Sequence, residues 1–210
     1  MKSTIVNRES YSDAKYYSRY DFLLAHYKPG NILDLGNLGG AFGEGKSDSS
    51  HQDFKVAAQG STVYGFDLFD PKNASDYSNQ KKGDIEDGLP YEDSFFDTVY
   101  MGELIEHLNN LKSALLEINR VLKKGGVFIL DTPNPYSAVR IMKWITRREE
   151  NLGDPTHLVF FTPASIKATL EKNGFQINVL SEKLSKKFTY IPHFLVKGLG
   201  SHLSISARKT

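Results

Sequence analysis

The sequence predicts an α/β protein built on a doubly wound, mostly parallel sheet. Runs rich in apolar, β-branched and aromatic residues alternate with segments whose apolar residues recur every three or four positions, as in βαβ units. The run Val127–Asp131, VFILD, is apolar almost throughout, as strands buried on both faces of a parallel sheet are. A cluster of glycines directly follows the first apolar run, in the stretch Asn31–Gly45. Ligands of α/β proteins commonly bind at such a turn, at the carboxyl end of a parallel strand.

Length and composition fit one globular domain, which we predict to span residues 1–210. With 26 basic and 25 acidic side chains and a net charge of +1, the chain is not expected to have nucleic acid as a partner. It has no cysteine, which excludes disulfides, thiolate metal sites and cysteine nucleophiles. The N-terminal residues lack the apolar core of a signal peptide, and no run approaches the roughly 20 apolar residues of a membrane span. We therefore expect a cytoplasmic protein.

The first predicted elements are a helix and a strand. Aromatic residues and leucines recur at helical spacing over Ser10–Tyr27, which predicts an amphipathic helix, and residues 1–30 are interpreted as a cover over a bound ligand. Ile32–Leu35 is a short buried strand that carries one acid, Asp34. The glycines after it permit positive φ and close approach to the backbone, as in a turn that binds a nucleotide-like cofactor, and an ordinary glycine-rich loop is the alternative.

Acids follow the second and third predicted strands. Thr62–Leu68 is β-branched and aromatic and contains Asp67 near its end, where a carboxylate would hold the hydroxyls of a ribose. A structural acid that caps the next turn is the alternative. The third strand is predicted to end at Gly83–Glu86. Asp84 in this segment could accept a hydrogen bond from the exocyclic amine of a purine, or serve only the turn.

The remaining elements continue the alternation of strands and helices. The predicted strands are Phe95–Met101, Val127–Asp131, Phe175–Leu180 and Leu203–Ala207, and the predicted helices are Gln52–Gln59, Leu111–Leu122 and the segment from Thr162 to Gly174. Thr162 and Pro163 are a preferred N-cap and first helical residue.

The order of these signals resembles the class I S-adenosylmethionine-dependent methyltransferases. The shared signals are the glycine turn after strand one, the acids after strands two and three, FDTVYMGELIEHL at strand four and LLEINRVLKKGGVFILDTPNP at strand five. They extend over Asn31–Phe175 and are most similar to the small-molecule branch that includes ubiquinone-biosynthesis-type enzymes. Five ordered signals are more specific than one glycine loop. The resemblance implies a seven-stranded Rossmann-like sheet with an antiparallel last strand, and S-adenosylmethionine as the cofactor.

The resemblance also implies which residues bind the cofactor. The first motif, which receives the methionine portion, is matched by Asp34, Gly36 and Gly40. The ribose site is matched by Asp67 with Leu68, the adenine site by Asp84 with Ile85, and the turn after strand four by Gly102 and Glu103. One position departs from the motif D-x-G-x-G-x-G, since Leu38 stands where the middle glycine is expected. Its side chain would either crowd the cofactor or turn away.

Methyl transfer from a sulfonium requires alignment and, for many acceptors, removal of a proton. His107, after the fourth strand, and His157 are the candidate bases. Glu103, Glu106 and His107 would share one face if their segment were helical. Together with His157 they are candidate ligands for a divalent metal such as Mg²⁺, an arrangement that looks like that of metal-using relatives. Alternatively, Glu106 and His107 only anchor the start of the next helix.

Tyr136–Arg148 is predicted as a basic amphipathic helix within an insertion, residues 136–160, that caps the substrate. Arginine and lysine are interleaved with the apolar residues Val139, Met142, Trp144 and Ile145. Such a segment can close the acceptor pocket, bind a phosphate or sugar acid, or contact a membrane surface. A helix packed on the core is the alternative.

The resemblance implies methyl transfer to a small molecule, at oxygen rather than nitrogen, with a hydroxylated, sugar-like or lipid-linked acceptor. Two alternatives stay open. Because of Leu38, the protein could bind the cofactor or a partner without catalysis. A metal-dependent methyltransferase of RNA ends is the other, although the near-neutral charge disfavours nucleic acid.

Overall fold

A computed structural model of the chain describes residues 19–38, 60–70, 79–147, 155–183 and 198–210. The helices within these ranges are α1 (Arg19–His26), α2 (Leu111–Val121), α3 (Ala138–Arg147) and α4 (Pro163–Lys172). The strands are β1 (Asn31–Leu35), β2 (Thr62–Asp67), β3 (Gln80–Lys82), β4 (Phe96–Gly102), β5 (Leu122–Pro133), β6 (Phe175–Lys183) and β7 (His202–Lys209). A single turn of 3₁₀ helix, Ile105–His107, follows β4.

The strands form one seven-stranded sheet in the order β3-β2-β1-β4-β5-β7-β6. Neighbouring strands from β3 to β5 are parallel, and β7 is antiparallel to both β5 and β6. The chain starts in the middle of the sheet, proceeds outward to β3 and returns to β4 on the other side of β1. This reversal creates a crevice beyond the carboxyl ends of β1 and β4, where α/β proteins bind ligands. The predicted fold class is confirmed.

Helices cover both faces of the sheet. On one face α2 and α4 contribute the buried residues Leu115, Ile118, Ile166 and Leu170 to the main core. On the other face, Phe22 and Leu23 of α1 pack with Ile32, Tyr100 and Ile129. This part of the N-terminal helix therefore lies against the sheet. The rest of the predicted helix Ser10–Tyr27, and the predicted helix Gln52–Gln59, lie outside the described residues.

Local signals in the sequence explain the helix ends. Asn110 caps α2, since its side chain accepts a hydrogen bond from the Ser113 amide. Thr162 and Ser165 form a capping box at the start of α4, with Pro163 as the first helical residue. Both helices match their predicted positions.

The prediction for the third strand was wrong. The strand is Gln80–Lys82, and the predicted segment Gly83–Glu86 is the loop that follows it. Strand β3 pairs with β2 at the edge of the sheet, and Lys81 and Lys82 are exposed. An edge strand needs no apolar run and is often charged, so the segment resembled a polar linker in the sequence.

Candidate active site

A cavity of about 300 Å³ lies at the carboxyl ends of β1, β2 and β4. Its described lining consists of Leu35, Gly36, Phe66, Asp67, Leu68, Phe69, Gly83, Asp84, Ile85, Glu86, Glu103, Leu104, His107, Leu108, Asn109 and Thr156. The loops that follow three neighbouring parallel strands thus supply most of the walls. Apolar side chains alternate there with carboxylates, as in sites that bind a small organic ligand.

The turn after β1 requires glycine at its first position. Gly36 has φ +67°, and a Cβ built there would lie 3.2 Å from Cδ2 of Leu104. Its amide donates to the Phe66 carbonyl at 2.9 Å, which joins this turn to β2. Leu38 is only 1% exposed and is absent from the cavity lining, so its side chain does not block the cavity. Gly40 lies outside the described residues.

Asp67 both caps its own turn and lines the cavity. Its Oδ2 accepts a hydrogen bond from the Leu38 amide at 3.0 Å, and its Oδ1 accepts one from the Phe69 amide at 3.1 Å. Burial raises the pKa of the Asp67 carboxyl, and these amides partly offset that rise. Asp67 therefore has the structural role of capping its turn, and the ribose interpretation stays a prediction.

The loop after β3 adds a second acid and the apolar residue Ile85, near Leu68 of the loop after β2. Asp84 lines the cavity, and its Oδ1 accepts a hydrogen bond from the Glu86 amide at 2.8 Å. Leu68 is 52% exposed beside the cavity, whereas Ile85 is buried in its wall. Leu68, Asp84 and Ile85, together with Asp67, bring the predicted ribose and adenine sites into one cavity.

Two other predicted cofactor residues do not line the cavity. Asp34 is buried in β1, and the alternation of side chains along the strand places it on the same sheet face as Ile32. Gly102 ends β4 and pairs with Asp131 of β5, and a Cβ built on it would lie 2.5 Å from the Tyr100 hydroxyl. Each is the sequence neighbour of a residue that does line the cavity, Leu35 and Glu103 respectively.

The turn after β4 has an unusual backbone. Glu103 has φ +51°, a conformation that costs a non-glycine residue of order 1–3 kcal/mol. Its amide donates to the Asp131 carbonyl at 2.9 Å, and its Oε1 lies 2.6 Å from Nε2 of His202. The sequence pattern did not predict the contact with His202, which comes from the far end of the chain.

Three of the four predicted metal ligands lie together. Single ligand atoms of Glu106, His107 and His157 lie within 4.8 Å of one another. Glu103 is not part of this group, so the predicted set of four ligands was wrong to include it. The backbone conformation explains this error. The helical turn begins at Ile105, after Glu103, so it does not align Glu103 with His107.

Glu106 is completely buried. Its Oε2 accepts a hydrogen bond from the Thr132 hydroxyl at 3.1 Å, whereas its Oε1 has no hydrogen-bond partner among the described residues. Burial raises the pKa of Glu106 to about 8, and the negative charges of Glu103 and Asp131 add to the rise. At neutral pH this side chain therefore holds a proton unless a cation lies beside it.

His107 connects the cluster to the cavity. Its Nδ1 lies 3.2 Å from the Thr156 carbonyl oxygen and 3.0 Å from the Thr156 hydroxyl. The His107 and His157 rings are 4.8 Å apart, and His107 and Thr156 both line the cavity. A carbonyl oxygen can only accept, so the tautomer with a proton on Nδ1 fits this contact and leaves the lone pair on Nε2.

A comparison with protein families gives one match over most of the chain. The family described as "Methyltransferase domain" matches residues 9–180. The chain belongs to this family of enzymes. The predicted family and enzyme class are thereby confirmed, and the small-molecule branch stays a prediction.

Solved methyltransferases share the fold. The S-adenosylmethionine-dependent methyltransferase from Mesorhizobium loti is similar with TM-score 0.61 and 19% identity, over 91% of this chain and 97% of that chain. The one from Archaeoglobus fulgidus gives TM-score 0.58 and 20% identity over 91% and 95%. The [4+2]-cyclase SpnF gives TM-score 0.62 and 17% identity over 90% and 79%. At these identities the likeness shows the fold, which can host more than one reaction.

Curated relatives cover less of the chain. YafE of Escherichia coli strain K12 is 30% identical over 49% of this chain and 50% of its own length. MJ1252 of Methanocaldococcus jannaschii is 28% identical over 58% and 57%. The chain thus spans about half the length of these relatives, both of which carry the name "uncharacterized protein".

Helix α3 is connected to the cluster of Glu106, His107 and His157 through Arg140 and Phe160. The Arg140 guanidinium lies over the Phe160 ring at 5.2 Å, and that ring is 5.7 Å from the ring of His157. The outer side chains of α3 are exposed: Val139 by 61%, Met142 by 60%, Trp144 by 55% and Ile145 by 58%. The alternative of a helix with its apolar side packed on the core is therefore not supported. In the described ranges no helix is long and apolar enough to cross a membrane.

Proposed function

We propose that the protein transfers the methyl group of S-adenosylmethionine to a hydroxyl oxygen of a small molecule. One observation carries this proposal: His107 lines the cavity and also belongs to the cluster with Glu106 and His157. A cavity suited to the methyl donor and a group that can accept a proton therefore share a wall. Transfer between two bound molecules requires this proximity.

The cavity lining fits the chemistry of S-adenosylmethionine. Asp67 lies at the end of β2, where a carboxylate accepts hydrogen bonds from ribose hydroxyls. Leu68 and Ile85 offer apolar surface to the adenine ring, and Asp84 offers an acceptor for its exocyclic amine. Glu103 supplies negative charge for the ammonium group of the methionine portion. Each part of the donor thus has a residue of matching chemistry.

His107 is the proposed general base. When bound, S-adenosylmethionine supplies a methyl group activated by a positively charged sulfur. When the acceptor hydroxyl takes up this methyl group, its proton would pass to Nε2 of His107. The Thr156 carbonyl, at Nδ1, stabilises the resulting imidazolium. A neutral amine attacks without losing a proton first, so the presence of this base favours an oxygen acceptor.

A divalent metal fits the same cluster. The buried Glu106 Oε1 has no hydrogen-bond partner among the described residues, and a cation would satisfy it. We propose that Glu106, His107 and His157 hold Mg²⁺ or another divalent ion, with the imidazoles favouring a transition metal. The ion would supply Lewis acidity, which lowers the pKa of an acceptor hydroxyl. With the ion bound, all three side chains serve as ligands, and the general-base role of His107 applies to the protein without the ion.

The exposed side of α3 supports an acceptor that is lipid-linked, as in the ubiquinone-biosynthesis-type branch. With 3.6 residues per turn, Val139, Met142 and Ile145 share one side of the helix. The helix also carries three cations and no acid in its sequence AVRIMKWITR. We propose that α3 rests on an anionic membrane surface, because buried apolar side chains and nearby positive charge together bind such surfaces. The acceptor would then reach Arg140 and the histidines from the membrane.

The single tryptophan of the chain, Trp144, reports directly on this contact. We expect its fluorescence to shift to shorter wavelength with vesicles of phosphatidylcholine and phosphatidylglycerol, and less with phosphatidylcholine alone. A variant with serine at Val139, Met142 and Ile145 should lose the shift, whereas Leu116→Ser, at an exposed leucine of α2, should keep it. A shift that depends on protein concentration without vesicles would indicate self-association instead.

The proposed reaction is tested in two steps. Isothermal titration with S-adenosylmethionine comes first, and absence of binding to the unmodified protein would refute the proposal. Pools of phenols, sugars, lipid-linked alcohols and short RNAs are then incubated with the protein and a donor labelled in its methyl group. Label in a small-molecule ether supports the proposal. Label in RNA ends would support the RNA alternative, and donor binding without transfer to any pool would support the noncatalytic one.

A further inference from the structure

The reversed strand β7 brings a residue from the last part of the chain to Glu103, which lines the cavity. Because β7 is antiparallel to its neighbours, its first residue lies at the edge where the parallel strands end. His202 pairs in register with Pro133, the last residue of β5. The side chain of His202 is 22% exposed, and it approaches the turn after β4. A parallel strand in this place would have presented its carboxyl end there instead.

The His202 ring is held at both nitrogens. Its Nε2 lies 2.6 Å from Oε1 of Glu103, and its Nδ1 lies 2.9 Å from the Ser201 hydroxyl. The Ser201 amide in turn donates to the Lys183 carbonyl at 2.9 Å. A carboxylate oxygen only accepts, so Nε2 donates the proton in the contact with Glu103. The ring is therefore oriented by the pairing of β6 and β7.

Glu103 needs such support because its backbone is strained. Of the described residues other than glycine, only Ser94 and Glu103 have positive φ, and Ser94 does not line the cavity. Strained residues persist where their surroundings determine the conformation, and they concentrate at functional sites. The turn at Glu103 also sets Leu104 against Gly36, so its conformation affects two walls of the cavity.

We propose that His202 is a positioning residue that holds the Glu103 carboxylate at the cavity wall to receive the cationic amino group of the methyl donor. This inference depends on the proposed function, since it assumes that the donor binds in this cavity. The Glu103 side chain is 41% exposed, and loss of the bond to His202 would leave its Oε1 less firmly held. The donor would then lose a preorganised partner, which weakens binding.

Two substitutions at His202 distinguish the effect of losing the hydrogen bond from the effect of changing the size of the side chain. His202→Leu removes the N–H group that donates to Glu103 and keeps a side chain of similar size. We expect the dissociation constant for S-adenosylmethionine to rise about tenfold, as for the loss of one charge-assisted hydrogen bond. In His202→Gln a side-chain amide can still donate to Glu103, and binding should stay within about threefold of the unmodified protein. In turnover assays the loss in His202→Leu should fall on KM for the donor and leave kcat within about twofold.

A double-mutant cycle with Glu103→Gln tests whether the two residues act together. The effect of His202→Leu should largely vanish when Glu103 is already glutamine. Arg208→Gln, at the exposed opposite end of β7, is the control and should bind the donor normally. If His202→Leu does not fold, the same cycle is measured with His202→Ala or His202→Asn, whichever variant unfolds at a temperature near that of the unmodified protein.

The outcomes distinguish this inference from the proposed function. No donor binding by the unmodified protein would overturn the function and the inference together. Normal binding by the unmodified protein and equally by His202→Leu would overturn the inference alone. The inference also fails if His202→Gln is as weak as His202→Leu, or if the losses at Glu103 and His202 are additive.

Discussion

The two sides of the candidate site differ in how their carboxylates are satisfied. On the cofactor side, both oxygens of Asp67 accept hydrogen bonds, from the amides of Leu38 and Phe69. On the acceptor side, Glu106 is buried, and only the oxygen that contacts Thr132 has a hydrogen-bond partner among the described residues. Asp67, on the proposed cofactor side, is thus held by backbone amides. The acceptor side contains an acid that must keep its proton or gain a cation.

This difference suggests that the two sides contribute to different steps. Residues fixed by the backbone are preorganised and are expected to determine how tightly the donor binds. Groups whose protonation depends on what lies beside them are expected to determine the rate of the chemical step. Substitutions on the two sides should therefore change different constants.

The largest expected effect is that of His107→Gln on turnover. We expect kcat to fall about 10²–10⁴-fold, because a positioned general base usually contributes that much. Donor affinity should change by less than about fivefold, since the carboxylates that match the donor are elsewhere in the cavity. Steady-state kinetics with an acceptor from the labelling screen, together with titration of the donor, measures both. A large loss of donor affinity with normal kcat would assign His107 to the cofactor side.

The next largest expected effect is a dependence of protein stability on pH that is caused by Glu106. The pKa of this carboxyl is raised to about 8 in the folded protein, whereas in the unfolded chain it has its ordinary value near 4.5. Between these values the folded state holds a proton that the unfolded state has lost. Below the unfolded pKa, the contribution of Glu106 to the free energy of unfolding is therefore fully present. As the pH rises toward 8, the free energy of unfolding falls by about 1.4 kcal/mol per pH unit.

Urea unfolding of chelator-treated protein between pH 5 and 8 measures this dependence. Glu106→Gln is neutral at every pH and should not show the decline, so the variant should be the more stable protein at pH 8. Glu92→Gln, at an exposed acid, should behave as the unmodified protein does. Adding a divalent ion should reduce the decline only where Glu106 is present. Parallel stability profiles of the unmodified protein and Glu106→Gln would show that burial does not hold a proton there.

Asp67→Ala should weaken binding of the methyl donor, because Asp67 lies on the proposed cofactor side of the site. We expect donor affinity to fall about 10–100-fold, because the carboxylate that matches the ribose is lost. The fall in kcat at saturating donor should be small. Asp67→Asn keeps one acceptor oxygen and should lose less, and thermal unfolding shows how much of either effect is structural. Unchanged affinity in Asp67→Ala would leave only the structural role of this acid, as the cap of its turn.

The fold, and the presence of Gly36, Asp67 and Asp84 at one edge of the sheet, could be predicted from sequence because their signals are local. A glycine with positive φ at the end of β1 and acids just after β2 and β3 follow from turn chemistry. Helix α4 was predicted from its Thr162 cap and Pro163, and both have those roles. Strand β3 was misplaced because an exposed edge strand carries no apolar pattern.

The rest of the site depends on contacts between distant parts of the chain. His202 reaches Glu103 only because β7 is reversed, and no spacing in the sequence encodes that. The expected four-ligand metal set assumed a helix through Glu103, where the backbone instead turns at positive φ. Periodicity indicates which side chains share a face only after the backbone conformation is known.

Glu86 is another residue that sequence patterns did not identify, and it gives the smallest expected effect. Its two carboxylate oxygens accept hydrogen bonds from the amides of Asn109, at 2.6 Å, and Asn110, at 2.9 Å, at the start of α2. Free amides and the positive end of the helix dipole both favour an acid there.

Glu86→Ala should therefore lower the free energy of unfolding by about 1–2 kcal/mol, whereas Glu92→Ala should change it by less than about 0.5 kcal/mol. Because Glu86 and Asn109 also line the cavity, we expect Glu86→Ala to weaken donor binding as well. If stability falls without any change in donor affinity, the amides at the start of α2 stabilise the fold without shaping the cofactor side.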